Sequence, residues 1–189
     1  MCFGHPPVHG TRAGPLISQQ AVADYREGLD RIRSEGGELL SGGKVLDDRP
    51  GYFVEPAIVR SRPEMPVVQE EIFAPILHLL TARSLEEAID LNNGVPQGLS
   101  SSLFTTDLRS AEAWLSAAGS DCGIANVNVG TSGAESGGAF GGEKATGAGR
   151  RAGSARRHAY IRRLATPATS RRALPAAHGL AFATALPPT

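Results

Sequence analysis

Cysteine is nearly absent from this chain: Cys2 and Cys122 are the only two among 189 residues. Two thiols argue against a disulfide framework and make a reducing, cytoplasmic setting the expectation. Long apolar runs are missing as well. No stretch approaches the roughly 18 to 20 residues needed to cross a bilayer, and no signal-like apolar segment follows Met1. A net charge is the third absence. Nineteen basic and nineteen acidic residues cancel, so no long-range field draws the chain to nucleic acid or to a membrane surface.

What remains is a globular composition, 41% hydrophobic, with 23 glycines and 13 prolines. That much hydrophobic material can supply a core, and so many turn residues suit short strands and helices in alternation. The charge is uneven along the chain. Arg150, Arg151, Arg156, Arg157, Arg162, Arg163, Arg171 and Arg172 crowd into the last quarter, and no acid follows Glu143. A basic nucleic-acid patch is one reading. However, only Tyr160 and Phe182 are there to stack on bases, so salt-bridge partners in an assembly explain the arginines at least as well.

Residues 1–13 have no periodicity and read as an irregular leader. Ile17, Ala21, Tyr25, Leu29 and Ile32 then recur at helical spacing, with Ser18 able to cap the first turn and Gly36-Gly37 to stop it. Glu38-Leu39-Leu40 and Lys44-Val45-Leu46 resemble a short hairpin. Gly51 to Val59 is β-rich, although Pro56 makes it an edge or an interrupted strand. Ile76 to Leu80 reads as a strand buried on both faces, because its apolar run is nearly continuous. Ser84-Leu85-Glu86-Glu87 is a capping box for a helix ending near Asn92-Asn93-Gly94. A strand over Leu99 to Thr105, a helix from Asp107 to Gly119 and a strand over Gly123 to Val129 complete the pattern. The alternation predicts an α/β layer with parallel pairing.

Several constellations invite a chemical reading. The run Gly137-Gly138-Ala139-Phe140-Gly141-Gly142-Glu143-Lys144 is not a phosphate loop, because its lysine falls one place late and no Ser or Thr follows. It reads as a flexible or close-approach loop. Cys2, His5 and His9 could bind a metal by spacing, yet no fourth ligand is evident, and an irregular leader is the simpler account. Cys122 has Asp121 beside it where a nucleophile wants a base or positive surroundings, so it reads as a buried structural thiol. Glu70 and Glu71, in Gln69-Glu70-Glu71-Ile72-Phe73-Ala74-Pro75-Ile76, could be a solvated acidic turn. Alternatively, a carboxylate there could accept two hydrogen bonds from a sugar diol while the aromatic lies against a planar ring.

The order of five segments favours the second account. Gly51-Tyr52-Phe53-Val54-Glu55-Pro56, Gln69 to Pro75, Gln97-Gly98-Leu99-Ser100-Ser101-Ser102, Asn126-Val127-Asn128 and Phe140-Gly141-Gly142-Glu143-Lys144-Ala145-Thr146-Gly147 together resemble the aldehyde dehydrogenase superfamily. Gly119-Ser120-Asp121-Cys122-Gly123 and Thr131 to Phe140 narrow the resemblance to its antiquitin-like branch, the α-aminoadipic semialdehyde dehydrogenases of lysine catabolism. That family oxidises an aldehyde to the acid with NAD, through a cysteine thiohemiacetal, hydride transfer and hydrolysis of the resulting thioester.

The resemblance implies a fold and a set of roles. It implies the C-terminal part of a catalytic domain over 14–155, α/β with an open, twisted, mostly parallel sheet, and an Arg/Ala/Pro-rich tail over 156–189 in place of an oligomerisation strand. Glu71 would hold the nicotinamide ribose and Phe73 would pack near the nicotinamide. Gly133 and Ala134 would lie on the loop that receives the substrate's distal carboxylate, and Phe140 would line the aldehyde tunnel. No catalytic residue carries over. The family's cysteine nucleophile and general-base glutamate precede a Gly-Pro-Leu segment that here is Gly14-Pro15-Leu16, and Cys2 lacks their surrounding motif. The Rossmann contacts to NAD are missing with them. Pro167 and Arg151 depart from the family pattern and weaken its oligomer contacts. The expectation is therefore a chain inactive alone, with an assembly partner that complements a separate N-terminal half, or joins a homo-oligomer, as the alternative and nucleic-acid binding last.

Overall fold

In a computed structural model of the chain, which describes residues 3–4, 9–132 and 140–147, the Ser18 hydroxyl accepts from the Ala21 N–H and opens α1, Gln19–Ser34. Val22, Tyr25, Leu29 and Ile32 form its buried stripe, as their helical spacing requires. Its far end would leave carbonyls without partners. Backbone N–H groups just beyond the helix meet them, Gly37 to Ile32 O at 2.7 Å and Gly36 to Arg33 O at 3.0 Å, and the Arg62 guanidinium donates to the carbonyls that follow, Glu35 O at 3.0 Å and Gly36 O at 3.2 Å.

The chain divides after Thr81 into two units. In the first, α1 covers a three-stranded sheet of order β1-β2-β3, made of Glu38–Ser41, Ala57–Arg60 and Ile76–Leu79. β1 runs antiparallel to β2 with a bulge between Leu39 and Ser41. β2 and β3 are parallel, pairing Ala57 with Ile76 through Arg60 with Leu79. Ala57, Val59, Met65 and Val67 meet the α1 stripe to form the core.

Three local expectations are corrected here. The hairpin does not form, because Gly42 and Gly43 adopt φ of 71° and 87° and redirect the chain. Val45 then bridges Val54 while β1 pairs with β2. Pro56 interrupts its strand as expected, yet the part that follows it is the central strand and not an edge. Finally, β3 is an edge strand whose Leu77 and Leu79 face outward, exposed, so the apolar run is covered on one side only.

Tyr25 is fully buried, and its hydroxyl donates to Glu55 O at 2.5 Å. Burial, assisted by the Glu55 charge, pushes its pKa up to about 12 from 10.0. The folded state therefore keeps a proton that the unfolded chain gives up near pH 10. This contribution is complete below about pH 10 and is lost as pH rises toward 12. Urea unfolding between pH 8 and 11.5 is expected to show a steeper alkaline loss for the wild type than for Tyr25→Phe; parallel pH profiles would refute this.

The second unit begins with α2, Leu85–Asn93, where Ser84 accepts from the Glu87 N–H as a capping box requires. The Glu87 carboxylate reaches one residue further back than the usual box and accepts from the Arg83 N–H at 2.6 Å. The strand expected from Leu99 is split at that residue into β4, Gln97–Gly98, and β5, Ser100–Leu103. Asp107 caps α3, Leu108–Leu115, which ends short of Gly119. β6, Ile124–Val127, pairs in parallel with β5, and β7, Glu143–Lys144, pairs antiparallel with β4. Trp114 closes this core against Ala125 and Val127. The α/β class holds. Within the described residues the strands form three small sheets, in which the two longest uninterrupted ladders are parallel.

Candidate functional site

The acidic turn is built from the end of α1. Glu35 accepts the Val67 N–H at 2.9 Å and so seats the 3-10 turn Pro66–Gln69. Arg31, one helical turn earlier, grips both oxygens of Glu70 at 2.6 and 2.8 Å, the planar fork matching the carboxylate. This pairing holds Glu70 below its ordinary carboxylate range and raises Arg31. Both side chains are solvent-exposed, so the pair orients the turn more than it stabilises it.

Beyond Glu70 the backbone folds on itself twice. The Ala74 N–H donates to Ile72 O at 2.6 Å and the Ile76 N–H to Ala74 O at 2.8 Å, two three-residue turns centred on Phe73 and Pro75. Ile72 packs into the core and lies over Gly28, where a Cβ would stand 2.7 Å from Ile72 Cδ1. A helical glycine costs roughly 1 kcal/mol against alanine, and here it admits Ile72. With Ile72 inside, Glu71 and Phe73 turn outward, and Phe73 is 83% exposed. Glu71 is exposed, and no hydrogen bond or ion pair engages it among the described residues. The two carboxylates thus divide the work: Glu70 fixes the turn, and Glu71 is left open with an aromatic ring two residues on.

The other expected site residues lie in the second unit. Phe140 is 37% exposed at the start of the segment 140–147. Gly133 and Ala134 lie outside the described residues, as do Cys2, His5, Gly137, Gly138 and the arginine-rich tail. The segment carrying Phe140 is firmly clamped. Lys144 Nζ donates to Asn93 O and Val95 O at 3.0 and 2.8 Å, Ala145 N–H to Pro96 O at 3.0 Å, and Gly98 N–H to Thr146 Oγ1 at 3.0 Å. The described part of the glycine run is a close-approach loop. Gly123 sits so near it that a Cβ would fall 1.7 Å from Gly141 O.

A second set of polar residues had no assigned role in the sequence. The Ser100 hydroxyl donates to Thr131 O at 3.2 Å, the Ser102 hydroxyl to Val129 O at 2.5 Å and the Asn126 amide to Gly130 O at 3.3 Å. Asn128, at φ 57°, accepts the Thr105 N–H at 2.9 Å and donates to Thr105 O at 2.8 Å. Together they fix residues 128–131, the approach to Gly133 and Ala134. Ser100 and Ser102 of β5 were the signal, since strand residues two apart share one face.

Other candidates reduce to structure. Ser61 Oγ lies 2.8 Å from His78 Nδ1, but Ser61 is buried and no acid engages the other ring nitrogen among the described residues, so the third member that orients a nucleophile's base is missing. Burial holds the His78 pKa below its ordinary value. Cys122 is a free thiol, 5% exposed, as expected of a structural cysteine. Among the described residues no three His, Cys, Asp or Glu converge as a metal site, and no helix is long and apolar enough to cross a membrane.

A family model described as the aldehyde dehydrogenase family matches residues 1–164. The aldehyde dehydrogenase family 7 member A1 of Pisum sativum is 49% identical over 180 residues, covering 95% of this chain and 35% of the pea protein. The alpha-aminoadipic semialdehyde dehydrogenase of Rattus norvegicus is also 49% identical over 180 residues, with 95% of this chain and 33% of the rat protein covered. Among solved structures, betaine aldehyde dehydrogenase from Staphylococcus aureus in complex with NAD+ superposes with a TM-score of 0.76 at 28% identity, over 84% of this chain and 32% of that one. The chain thus spans about a third of the length of the curated relatives it matches.

Proposed function

The chain belongs to the aldehyde dehydrogenase family, in its antiquitin-like branch, and on that premise we propose that it supplies the nicotinamide-ribose grip and part of the aldehyde path for oxidation of α-aminoadipic semialdehyde. The observation that carries the reading is the open Glu71 carboxylate beside the 83% exposed Phe73, on a turn that Arg31 and Glu70 hold in place. An unpaired carboxylate is the acceptor a ribose diol needs, and an exposed ring offers a face to a planar heterocycle. The residues therefore fit this part of NAD.

NAD, when bound, supplies the hydride acceptor. The chain's own residues bind and orient. Glu71 fixes the ribose through two accepted hydrogen bonds, Phe73 limits where the ring can lie, and Phe140 walls the aldehyde's approach. Gly133 and Ala134 would offer backbone N–H groups to the substrate's distal carboxylate, with Ser100, Ser102, Asn126 and Asn128 holding the loop that leads to them. A second reading, in which the chain is an assembly partner that completes a separate N-terminal half, is favoured by an uncovered apolar face of its first unit.

One carboxylate with two charge-assisted hydrogen bonds contributes about 1.5 to 3 kcal/mol per bond at most, so millimolar affinity for NAD is expected of the chain alone. Titration of NAD into isotopically labelled protein is expected to move amide resonances of residues 70–74, and Glu71→Ala, which removes both bonds, is expected to weaken binding about a hundredfold or more and so abolish the response at millimolar NAD. Resonances that stay fixed through the titration, or respond equally in Glu71→Ala, would rule the grip out.

A further inference from the structure

Three carboxylates meet one short turn. Glu35 accepts the Val67 N–H, Glu70 closes the 3-10 segment Pro66–Gln69, and Glu71 follows it, exposed. From the last turn of α1 a cation reaches in among them. Arg31 Nη1 and Nη2 meet the Glu70 oxygens at 2.6 and 2.8 Å, and Nη2 also lies 3.7 Å from Glu35.

Neither the helix nor stability accounts for where this guanidinium points. A helix C-terminus favours a cation in its last turn, but Arg33 occupies that turn too and folds back to Asp30 at 2.8 Å. Arg31 instead spans 39 residues to grip Glu70 with both arms of its fork. Arg31 and Glu70 are 35% and 53% exposed, and an ion pair so open to water adds little to folding.

A dinucleotide sets the problem that the pair answers. The diol of its nicotinamide ribose wants a carboxylate acceptor, while the pyrophosphate joined to the same ribose is anionic and carboxylates repel it. One open carboxylate serves the diol. A second, left uncompensated beside it, adds repulsion and no bond that the diol needs. We infer that Arg31 is a charge-compensating positioning residue of the ribose grip, neutralising Glu70 so that Glu71 can accept from the diol of an anionic dinucleotide. This rests on the ribose-grip reading.

The test titrates two ligands into the isotopically labelled full chain, NAD and nicotinamide riboside, with the amides of residues 70–74 as reporters. The riboside keeps the ring and the diol and lacks the phosphates. In about 10 mM salt, where charges act over about 30 Å, Arg31→Gln is expected to weaken NAD about fivefold, the effect of one unit charge at close range in water. The riboside should bind that variant at least as tightly as it binds wild type. In about 1 M salt, where the range falls to about 3 Å, the NAD difference is expected to shrink below about twofold. Removing the stranded charge in Arg31→Gln/Glu70→Gln, or keeping the cation in Arg31→Lys, is expected to bring NAD back to within about twofold of wild type. Equal weakening of both ligands by Arg31→Gln, or a loss that neither of those variants restores, would mean that Arg31 holds the shape of the turn, and overturns the inference. NAD binding that is equal in wild type and Arg31→Gln overturns it as well, with the grip left standing. If neither ligand moves residues 70–74 of the wild type, the grip itself fails and the inference falls with it.

Discussion

Purified chain supplied with NAD and an aldehyde is expected to yield no NADH above the blank rate, however much protein is used. The family reaction needs a thiolate that the aldehyde can reach. Of the two cysteines in the sequence, Cys122 is 5% exposed at the start of β6, next to the Gly123 backbone that abuts Gly141. Its thiol is buried. Cys2, outside the described residues, lacks the sequence motif that surrounds the family nucleophile. Binding groups without a nucleophile hold substrate and transition state alike and open no covalent route. Accordingly, Cys2→Ser and Cys122→Ser should leave the null rate unchanged. Native Cys122 should react with a thiol reagent only as fast as the second unit opens. Steady NADH production by the chain alone, abolished by either serine variant, would refute the account.

What the sequence made legible follows the range of the interactions involved. The caps Ser18, Ser84 and Asp107 sit where their side chains could be foreseen, because a cap bonds to residues only three positions on. The hairpin was misread because the left-handed Gly42 and Gly43 send Val45 to Val54, a choice that no alternation of residue types encodes. Leu77 and Leu79 were placed inside because an apolar run reports what a strand is made to contact, and this chain does not hold that contact within its described residues. Glu70 and Glu71 could not be told apart at all. The difference lies in Arg31, 39 residues earlier, which only the folded α1 brings beside Glu70. Likewise, Ser100, Ser102 and Asn128 in the set that holds 128–131 act across 23 to 31 residues. The roles proposed for Glu71, Phe73 and Phe140 come from the family resemblance alone, and the fold shows what holds the turn and the segment that carry them.

Replacing Gly123 with alanine is expected to cost the second unit about 3 kcal/mol or more, the upper range for overpacking a site. The added Cβ would meet Gly141 O at 1.7 Å, Gly141 C at 2.8 Å and Gly142 Cα at 3.2 Å. All three are backbone atoms, so no rotamer change relieves the clash, and segment 140–147 must move off β6. That movement pulls on the hydrogen bonds of Lys144, Ala145 and Thr146 to residues 93–98, and it displaces Phe140. Gly130→Ala is the control, because nothing lies within 4 Å of its Cβ position and such a surface change alters stability by no more than about 0.5 kcal/mol. Trp114 is the only tryptophan and lies in the core of this unit, so its fluorescence during denaturant unfolding reads the second unit directly. A Gly123→Ala midpoint equal to that of Gly130→Ala would mean that the close approach of Gly123 and Gly141 is not what holds Phe140 in place.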